Sequence, residues 1–168
     1  MTSSTKFSNS SIGFIGLGVA GKAMAKRLIE ANFKLIVYDI RESEVLELVK
    51  SGAQKASGPR EVAEMSEIVF TSLPNPKTSE EVILGPGGTL SGSKKGDIFI
   101  ETSTVPPALI KKIADQAASK GVDVIDAGIS GVRLRDKKPG PFLTIMAGAE
   151  NHAFEKAKPV LDALASRL

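Results

Sequence analysis

Short apolar runs alternate with amphipathic segments along most of the chain. Runs bounded by turn residues are typical of buried strands, whereas apolar residues three and four positions apart are typical of helices. The runs predict strands at Ile12–Ile15, Lys34–Tyr38, Ile68–Ser72, Asp97–Glu101 and Val122–Ala127, and Gln54–Ala56 is expected to be a short additional strand, the third along the chain. The amphipathic segments predict helices at Ala20–Ala31, Glu42–Ser51, Pro59–Glu64, Lys77–Leu84 and Pro106–Lys120. This alternation predicts an α/β fold with a doubly wound, mostly parallel sheet and right-handed crossovers.

The two ends of the chain depart from this alternation. Residues 1–11 are polar and are expected to form a flexible leader. Residues 12–168 are long enough for one domain with a sizeable core. After a polar loop at Gly131–Pro141, Phe142–Ala147 is expected to be an edge strand, and Asn151–Leu168 is expected to be helical despite Pro159.

Three glycines lie where the first predicted strand meets the first helix, in the order Gly16-x-Gly18-x-x-Gly21. In a dinucleotide-binding turn, the first glycine makes the tight bend and the second allows the backbone to approach a pyrophosphate. The third allows the helix to pack closely on the strand. The free N–H groups of the helix then face the diphosphate. A tight turn without a ligand is the alternative explanation of these glycines.

Asp39 follows the second predicted strand, 18 residues after Gly21. A carboxylate at this place binds the ribose hydroxyls of a dinucleotide, although Asp39 could also be an exposed end of a strand. The order of strand, glycines, helix, strand and acid predicts a nicotinamide dinucleotide as the cofactor. The expected cofactor-binding residues around the turn and the acid are Phe14, Ile15, Gly16, Leu17, Gly18, Val19, Ala20, Gly21, Tyr38, Asp39, Ile40 and Arg41.

The same carboxylate bears on the choice of cofactor. A carboxylate about 4 Å from a 2′-phosphate costs about 1 kcal/mol per charge pair in water and about 4 kcal/mol in a partly buried site. This repulsion predicts NAD, with an advantage of about one to three powers of ten over NADP. Arg41 could offset the repulsion by reaching the phosphate, so NADP stays possible.

The composition argues against several other classes of function. Hydrophobic residues make up 42% and charged residues 24% of the chain, as in ordinary globular proteins. The net charge is only +3, and aromatic residues make up 5% of the chain. Nucleic-acid binders that stack bases place aromatic residues among basic ones, and this sequence has no such arrangement. No apolar run approaches the ~18 residues of a membrane span. We therefore expect a cytoplasmic protein without nucleic-acid or membrane partners, and the spacing of acids and histidine predicts no metal site.

Further segments extend the dinucleotide pattern, and together they resemble one family. They are Gly13-Phe-Ile-Gly-Leu-Gly18, Leu73-Pro74, Glu101-Thr-Ser-Thr-Val105, Asp126-Ala-Gly-Ile-Ser-Gly131 and Leu143-Thr-Ile-Met-Ala-Gly148. From about Ser11 onward, the chain resembles the β-hydroxyacid dehydrogenases. That family includes 3-hydroxyisobutyrate, tartronate semialdehyde and 2-(hydroxymethyl)glutarate dehydrogenases, and it is related to 6-phosphogluconate dehydrogenase.

The resemblance implies a Rossmann-type NAD(P)-binding domain of an oxidoreductase. Such an enzyme transfers a hydride between the cofactor and a small β-hydroxy acid or semialdehyde. The resemblance also implies a homo-oligomer when the family's helical domain is present. It implies that Leu73 and Thr104 line the nicotinamide side of the cofactor, and that Pro74 is a further cofactor-binding residue. It also implies that the substrate carboxylate is held by Ser130 and by the backbone of Gly131 and Val132.

The chain departs from the family pattern near the expected substrate site. Gly128 stands where the family has proline, and Val132 stands where it has a second glycine. The cation-rich loop Arg133–Pro141 that follows is expected to be either a solvated loop or an anion-binding flap. The family's catalytic lysine and its all-helical domain are expected to lie beyond Leu168. The chain alone is therefore expected to bind the cofactor and to turn over poorly.

Several alternatives stay open from the sequence. Ser103 and Thr104 could cap the following helix rather than adjoin a cofactor, and Ser130 could be a turn hydroxyl. His152, the sole histidine, is expected to have a surface or capping role. The chain could also be a non-catalytic dinucleotide-binding module, or the domain of a 6-phosphogluconate-type dehydrogenase or an imine reductase.

Overall fold

The computed structural model of the protein describes residues 11–131, 140 and 142–168. These residues form one eight-stranded sheet and seven helices. The strands are β1 (Ser11–Ile15), β2 (Lys34–Tyr38), β3 (Gln54–Lys55), β4 (Ile68–Thr71), β5 (Ile98–Glu101), β6 (Asp123–Ser130), β7 (Leu143–Gly148) and β8 (Ala165–Arg167). The helices are α1 (Val19–Glu30), α2 (Glu42–Lys50), α3 (Pro59–Glu64), α4 (Pro76–Leu84), α5 (Thr89–Gly92), α6 (Pro107–Ala118) and α7 (Asn151–Leu164).

The strand order across the sheet is β3-β2-β1-β4-β5-β6-β7-β8, and all neighbours are parallel except β6 and β7. From β1 the chain builds outward to β3, then returns to the other side of β1 and builds outward again from β4. This reversal opens a crevice at the carboxyl ends of β1 and β4, where ligands bind in open α/β sheets. The prediction of a doubly wound, mostly parallel sheet is confirmed.

Helices cover both faces of the sheet. On one face, α1, α2 and α7 pack around Phe14 and Phe70, whose stacked rings have centroids 5.5 Å apart. On the other face, α3, α4 and α6 pack around Val69 and Phe99. The central strands are apolar on both faces, and for that reason they form continuous apolar runs in the sequence.

The sixth strand is longer than predicted. It continues past Ala127 to Ser130, and its last three residues pair with Thr144–Met146 of β7. A glycine such as Gly128 favours the end of a strand. Here the Met146 side chain covers Gly128, because a Cβ at Gly128 would lie 3.6 Å from the Met146 Cε. Ser130 is therefore the last residue of a strand and not a loop residue.

The strand predicted at Phe142–Ala147 is present as β7, but its predicted position at the edge of the sheet is wrong. The chain leaves α7 at Leu164 and runs parallel to β7 as β8, so β8 is the edge and the helix does not continue to Leu168. The one-turn helix α5 is an addition to the predicted elements. Residues 1–10, Val132 and most of the Arg133–Pro141 loop lie outside the described residues.

Within the described ranges, no helix is both long and apolar enough to cross a membrane.

Candidate functional site

A cleft of about 540 Å³ opens at the carboxyl ends of β1, β2 and β4, where the strand order reverses. Its walls are the segments that follow these three strands, together with one side of α4. The lining residues are Ile15, Gly16, Gly18, Val19, Ala20, Tyr38, Asp39, Ile40, Arg41, Ser72, Leu73, Pro74, Thr78 and Val82. The structure thus brings most of the residues expected at a cofactor into one cleft.

Two of the three motif glycines are required by the protein itself. Gly16 has φ +89°, which L side chains rarely adopt, and a Cβ there would overlap the carbonyl oxygen of Ser72. A Cβ at Gly21 would overlap the carbonyl oxygen of Gly16, so Gly21 allows α1 to pack against the turn. A tight turn without a ligand would explain both of these glycines.

Gly18 is different, because no protein atom requires its lack of a side chain. A Cβ at Gly18 would meet nothing within 4 Å, and its φ of −63° suits any residue. Gly18 nevertheless lines the cleft and is the residue before α1. Its open side leaves room for a ligand to approach the backbone, which a tight turn alone does not explain.

The amino end of α1 is suited to an anion. Gly18 has no side chain to cap the helix, and the first turn of α1 contains no acidic residue. The N–H groups of the first turn have no acceptor within the helix and carry the positive end of its dipole. Val19 and Ala20, the first two residues of α1, line the cleft, so this end of the helix faces the cleft.

Asp39 is held firmly at the carboxyl end of β2. Its side chain is only 7% exposed. Its Oδ2 accepts the N–H of Leu17 at 2.6 Å, and its Oδ1 accepts the N–H of Arg41 at 2.8 Å and the Arg41 Nε at 3.2 Å. The alternative of a solvent-exposed strand end is therefore wrong. Asp39 also connects β2 to the turn that carries the glycines.

The charge of Asp39 is stabilised despite its burial. Burial alone would raise the pKa of this carboxyl group. The hydrogen bonds from the N–H groups of Arg41 and Leu17, and then the Arg41 guanidinium, outweigh burial and hold the pKa of Asp39 below its ordinary value. The carboxylate is thus ionised at neutral pH.

The lowered pKa of Asp39 predicts a pH-dependent contribution to stability. The ionised group stabilises the fold above its unfolded pKa of about 3.9, and this stabilisation is lost as the pH falls through the lower folded pKa. We expect Asp39→Asn to lower the Tm clearly at pH 7 and progressively less below about pH 4. The exposed Asp115→Asn is the control. A loss of Tm for Asp39→Asn that is as large below about pH 4 as at pH 7 would contradict this expectation.

Apolar side chains also line the cleft. Ile40 is 89% exposed and Val19 is 62% exposed, and both line the cleft. On the opposite wall, Thr78 and Val82 of α4 complete the lining. Sequence reasoning missed Thr78 and Val82, although their spacing of four places them on one face of the predicted helix.

The nicotinamide end expected from the resemblance lies partly in the cleft. Leu73 and Pro74 line it, whereas Thr104 is exposed and is not part of the lining. The Oγ of Ser103 accepts the N–H of Leu73 at 2.7 Å. The residue before α6 is Pro106, and no side-chain hydrogen bond caps the helix. The alternative that Ser103 and Thr104 cap this helix is therefore wrong.

Two of the residues expected to hold the substrate carboxylate lie at the end of β6. Ser130 is exposed and pairs with Thr144 of β7, and Gly131 has φ +83°. Neither residue lines the cleft. Val132 lies outside the described residues, as do the cations of the Arg133–Pro141 loop.

Two predicted cofactor residues have side chains that lie in the core and not in the cleft. The side chains of Phe14 and Leu17 are fully buried in the core, and neither residue lines the cleft. Leu17 contributes to the site through its N–H, which Asp39 accepts. His152 is at the surface, as expected, where its Nε2 lies 2.9 Å from Asp123 Oδ2.

Comparison with known proteins agrees with this geometry. The sequence profile of a family described as the NAD binding domain of 6-phosphogluconate dehydrogenase matches residues 11–168. A 2-(hydroxymethyl)glutarate dehydrogenase from Eubacterium barkeri is 43% identical over 153 residues, which are 91% of this chain and 50% of that protein. The mitochondrial 3-hydroxyisobutyrate dehydrogenase of Rattus norvegicus is 36% identical over 161 residues, which are 96% of this chain and 48% of that protein.

A solved structure shows the same fold. The 3-hydroxyisobutyrate dehydrogenase from Salmonella typhimurium superposes with a TM-score of 0.86 at 27% identity, and the match covers 95% of this chain and 55% of that chain. The chain spans about half the length of the curated relatives that it matches.

Proposed function

Because the chain belongs to the family of NAD-binding domains of 6-phosphogluconate dehydrogenase, we propose that it holds the cofactor of a dehydrogenase for small β-hydroxy acids. The whole enzyme transfers a hydride between the nicotinamide and a β-hydroxy acid or its semialdehyde. The observation that carries this proposal is the pairing of two features in one cleft. They are the open side of Gly18 at the start of α1 and the Asp39 carboxylate at the end of β2.

The residues around the cleft suit the diphosphate and the adenosine half of a dinucleotide. Gly18 and the N–H groups of the first turn of α1 suit the diphosphate, and Asp39 suits the two hydroxyls of the adenosine ribose. Ile40 on one wall, and Thr78 and Val82 on the other, suit the flat adenine ring. When bound, the nicotinamide supplies the group that accepts or donates a hydride.

We propose that the chain prefers NAD to NADP. The support is the ionised, nearly buried Asp39, which would repel a 2′-phosphate on the same ribose. Arg41 forms an ion pair with this carboxylate, and its Nε is 3.2 Å from Asp39 Oδ1. Its charge is therefore already partly neutralised by Asp39, which weakens the attraction that it can offer to a phosphate.

The substrate end of the proposed site continues along the same edge of the sheet. Leu73, Thr104 and Ser130 follow or end three neighbouring parallel strands, β4, β5 and β6. We assign the nicotinamide side of the cofactor to Leu73 and Thr104, and we place Pro74 in the same cofactor site. We assign the substrate carboxylate to the Ser130 hydroxyl and the backbone of Gly131 and Val132. Hydrogen bonds to a charged group contribute about 1.5–3 kcal/mol each, which suits a carboxylate substrate.

The proton-transferring group is proposed to come from a second, helical domain, which also makes the contacts of a homo-oligomer. The support is that the matched relatives are about twice as long as this chain. General acid–base catalysis contributes about 10²–10⁴-fold in rate. The 168-residue chain alone is therefore expected to bind the cofactor but to turn over slowly.

The test is a steady-state assay of the product of the whole gene that encodes this chain. The assay uses NAD and a panel of β-hydroxy acids that includes 3-hydroxyisobutyrate and 2-(hydroxymethyl)glutarate. We expect turnover with at least one of these acids, and a KM about ten- to hundredfold higher in Ser130→Ala. Cofactor binding without turnover on any member of the panel would favour the non-catalytic module instead.

A further inference from the structure

The carboxyl end of β5 carries a buried carboxyl group that lies outside the cleft lining. Glu101 is the last residue of β5 and is fully buried. Its Oε1 accepts the N–H of Ser103 at 2.8 Å, and no donor among the described residues lies within hydrogen-bond distance of Oε2. A buried polar group lowers stability unless it is hydrogen-bonded. Because Oε2 has no such bond among the described residues, packing of the sheet alone does not explain a carboxyl group at this position.

Ser103 extends this contact to the neighbouring segment. Its Oγ accepts the N–H of Leu73 at 2.7 Å. Thr102 adds two bonds to the carbonyl oxygen of Thr71, from its N–H at 3.0 Å and from its Oγ1 at 2.6 Å. The last ladder pair between β4 and β5 is Thr71–Glu101. The bonds made by Thr102 and Ser103 therefore join the two segments beyond the end of the sheet.

These contacts hold Leu73 of the proposed nicotinamide end directly, and they hold the residue that precedes Thr104. Leu73 lines the cleft and lies against the glycine turn, because a Cβ at Gly16 would be 3.0 Å from the Leu73 Cδ2. Thr104 directly follows Ser103 and is exposed. Since α6 begins at Pro107 without a side-chain cap, starting that helix does not require Ser103.

We propose that Glu101 and Ser103 are positioning residues for the nicotinamide end of the cleft. Glu101 holds the backbone of Ser103, and Ser103 holds the backbone of Leu73. Leu73 and Thr104 are thereby ordered before the cofactor binds. Order that exists before binding raises affinity, because less conformational freedom is lost on binding. This inference rests on the proposed function, which puts the nicotinamide beside Leu73 and Thr104.

The test titrates the Ser103→Ala and wild-type chains with NADH and with ADP-ribose, which lacks the nicotinamide. We expect the NADH affinity of Ser103→Ala to fall about three- to tenfold, with unchanged ADP-ribose affinity. The fluorescence emission of bound NADH is expected to shift toward that of free NADH. Ser93→Ala is the matched control, since it removes a hydroxyl that donates to the Thr89 carbonyl at 2.9 Å outside the cleft lining.

A pair of variants at Glu101 tests the first contact. Glu101→Gln keeps a side-chain oxygen for the Ser103 N–H and is expected to bind NADH like the wild type. Glu101→Leu is expected to repeat the effect of Ser103→Ala. If Ser103→Ala does not fold, the Glu101 variants decide alone. Glu101→Leu that binds NADH with the same affinity and the same emission as Glu101→Gln would overturn the proposal.

Two results with folded Ser103→Ala overturn the proposal directly. One is wild-type NADH affinity and emission, and the other is an equal loss of NADH and ADP-ribose affinity. A different result concerns the proposed function. If wild-type protein binds ADP-ribose but bound NADH emits like free NADH, the placement of the nicotinamide is wrong, and the roles of Glu101 and Ser103 are wrong with it.

Discussion

Replacing Gly18 with alanine is expected to remove most of the affinity for NADH and to leave the fold unchanged. The φ of Gly18 is −63°, and a Cβ there would meet no protein atom within 4 Å. The added methyl group therefore takes space that only the ligand uses. Two hydrogen bonds to a charged group contribute about 3–6 kcal/mol together. Losing the close approach to the diphosphate is expected to lower NADH affinity about a hundredfold or more.

Two other glycines provide the controls for this experiment. Gly87 also has no atom within 4 Å of an added Cβ and lies outside the cleft lining, so Gly87→Ala is expected to keep both NADH affinity and Tm. Gly16→Ala is expected to lose both, because its φ is +89° and its Cβ would overlap the Ser72 carbonyl. A Gly18→Ala protein with wild-type NADH affinity would show that the ligand does not approach this turn.

Replacing Asp39 with serine is expected to reverse the preference between the two cofactors. The change removes the charge that repels a 2′-phosphate and frees the Arg41 guanidinium, whose Nε lies 3.2 Å from Asp39 Oδ1. We expect the ratio of NADPH affinity to NADH affinity to rise about ten- to thousandfold. Affinity for NADH itself is expected to fall, since the ribose hydroxyls lose a charged acceptor.

The reversal depends on Arg41, which a double variant tests. Asp39→Ser with Arg41→Gln is expected to lose the gain in NADPH affinity. Both variants are also expected to unfold at a lower temperature, because leaving the Leu17 N–H without its acceptor costs about 1–3 kcal/mol. The titrations therefore belong below the lower of the two Tm values. An unchanged affinity ratio in Asp39→Ser would mean that the 2′ position of the ribose does not face residue 39.

The glycine turn and Asp39 could be predicted because they lie within one strand–helix–strand unit. Their spacing along the chain is set by the length of α1 and by β2, so the sequence order alone brings them together. Thr78 and Val82 could not be assigned in the same way. They reach the cleft only because β4 returns to the far side of β1, which is a property of the whole sheet.

The errors at the end of the chain have the same cause. Gly128 ends a strand by local preference, but pairing with β7 and cover from Met146 extend β6 to Ser130. Strand formation depends on cross-strand partners more than on local preference. Residues 165–167 join β7 in the same way, although they follow an amphipathic helix directly. The Ser103–Leu73 bond joins residues 30 apart, and no local pattern indicates it.

The central claim is that the turn at Gly18 and the carboxylate of Asp39 together bind NAD. Its most direct test is a titration of the 168-residue chain with NADH and, in parallel, with NADPH, followed by the fluorescence of the cofactor. We predict saturable binding of NADH, about ten- to thousandfold tighter than that of NADPH. A chain that shows no saturable binding of NADH at any concentration, or that binds NADPH as tightly as NADH, would contradict the account.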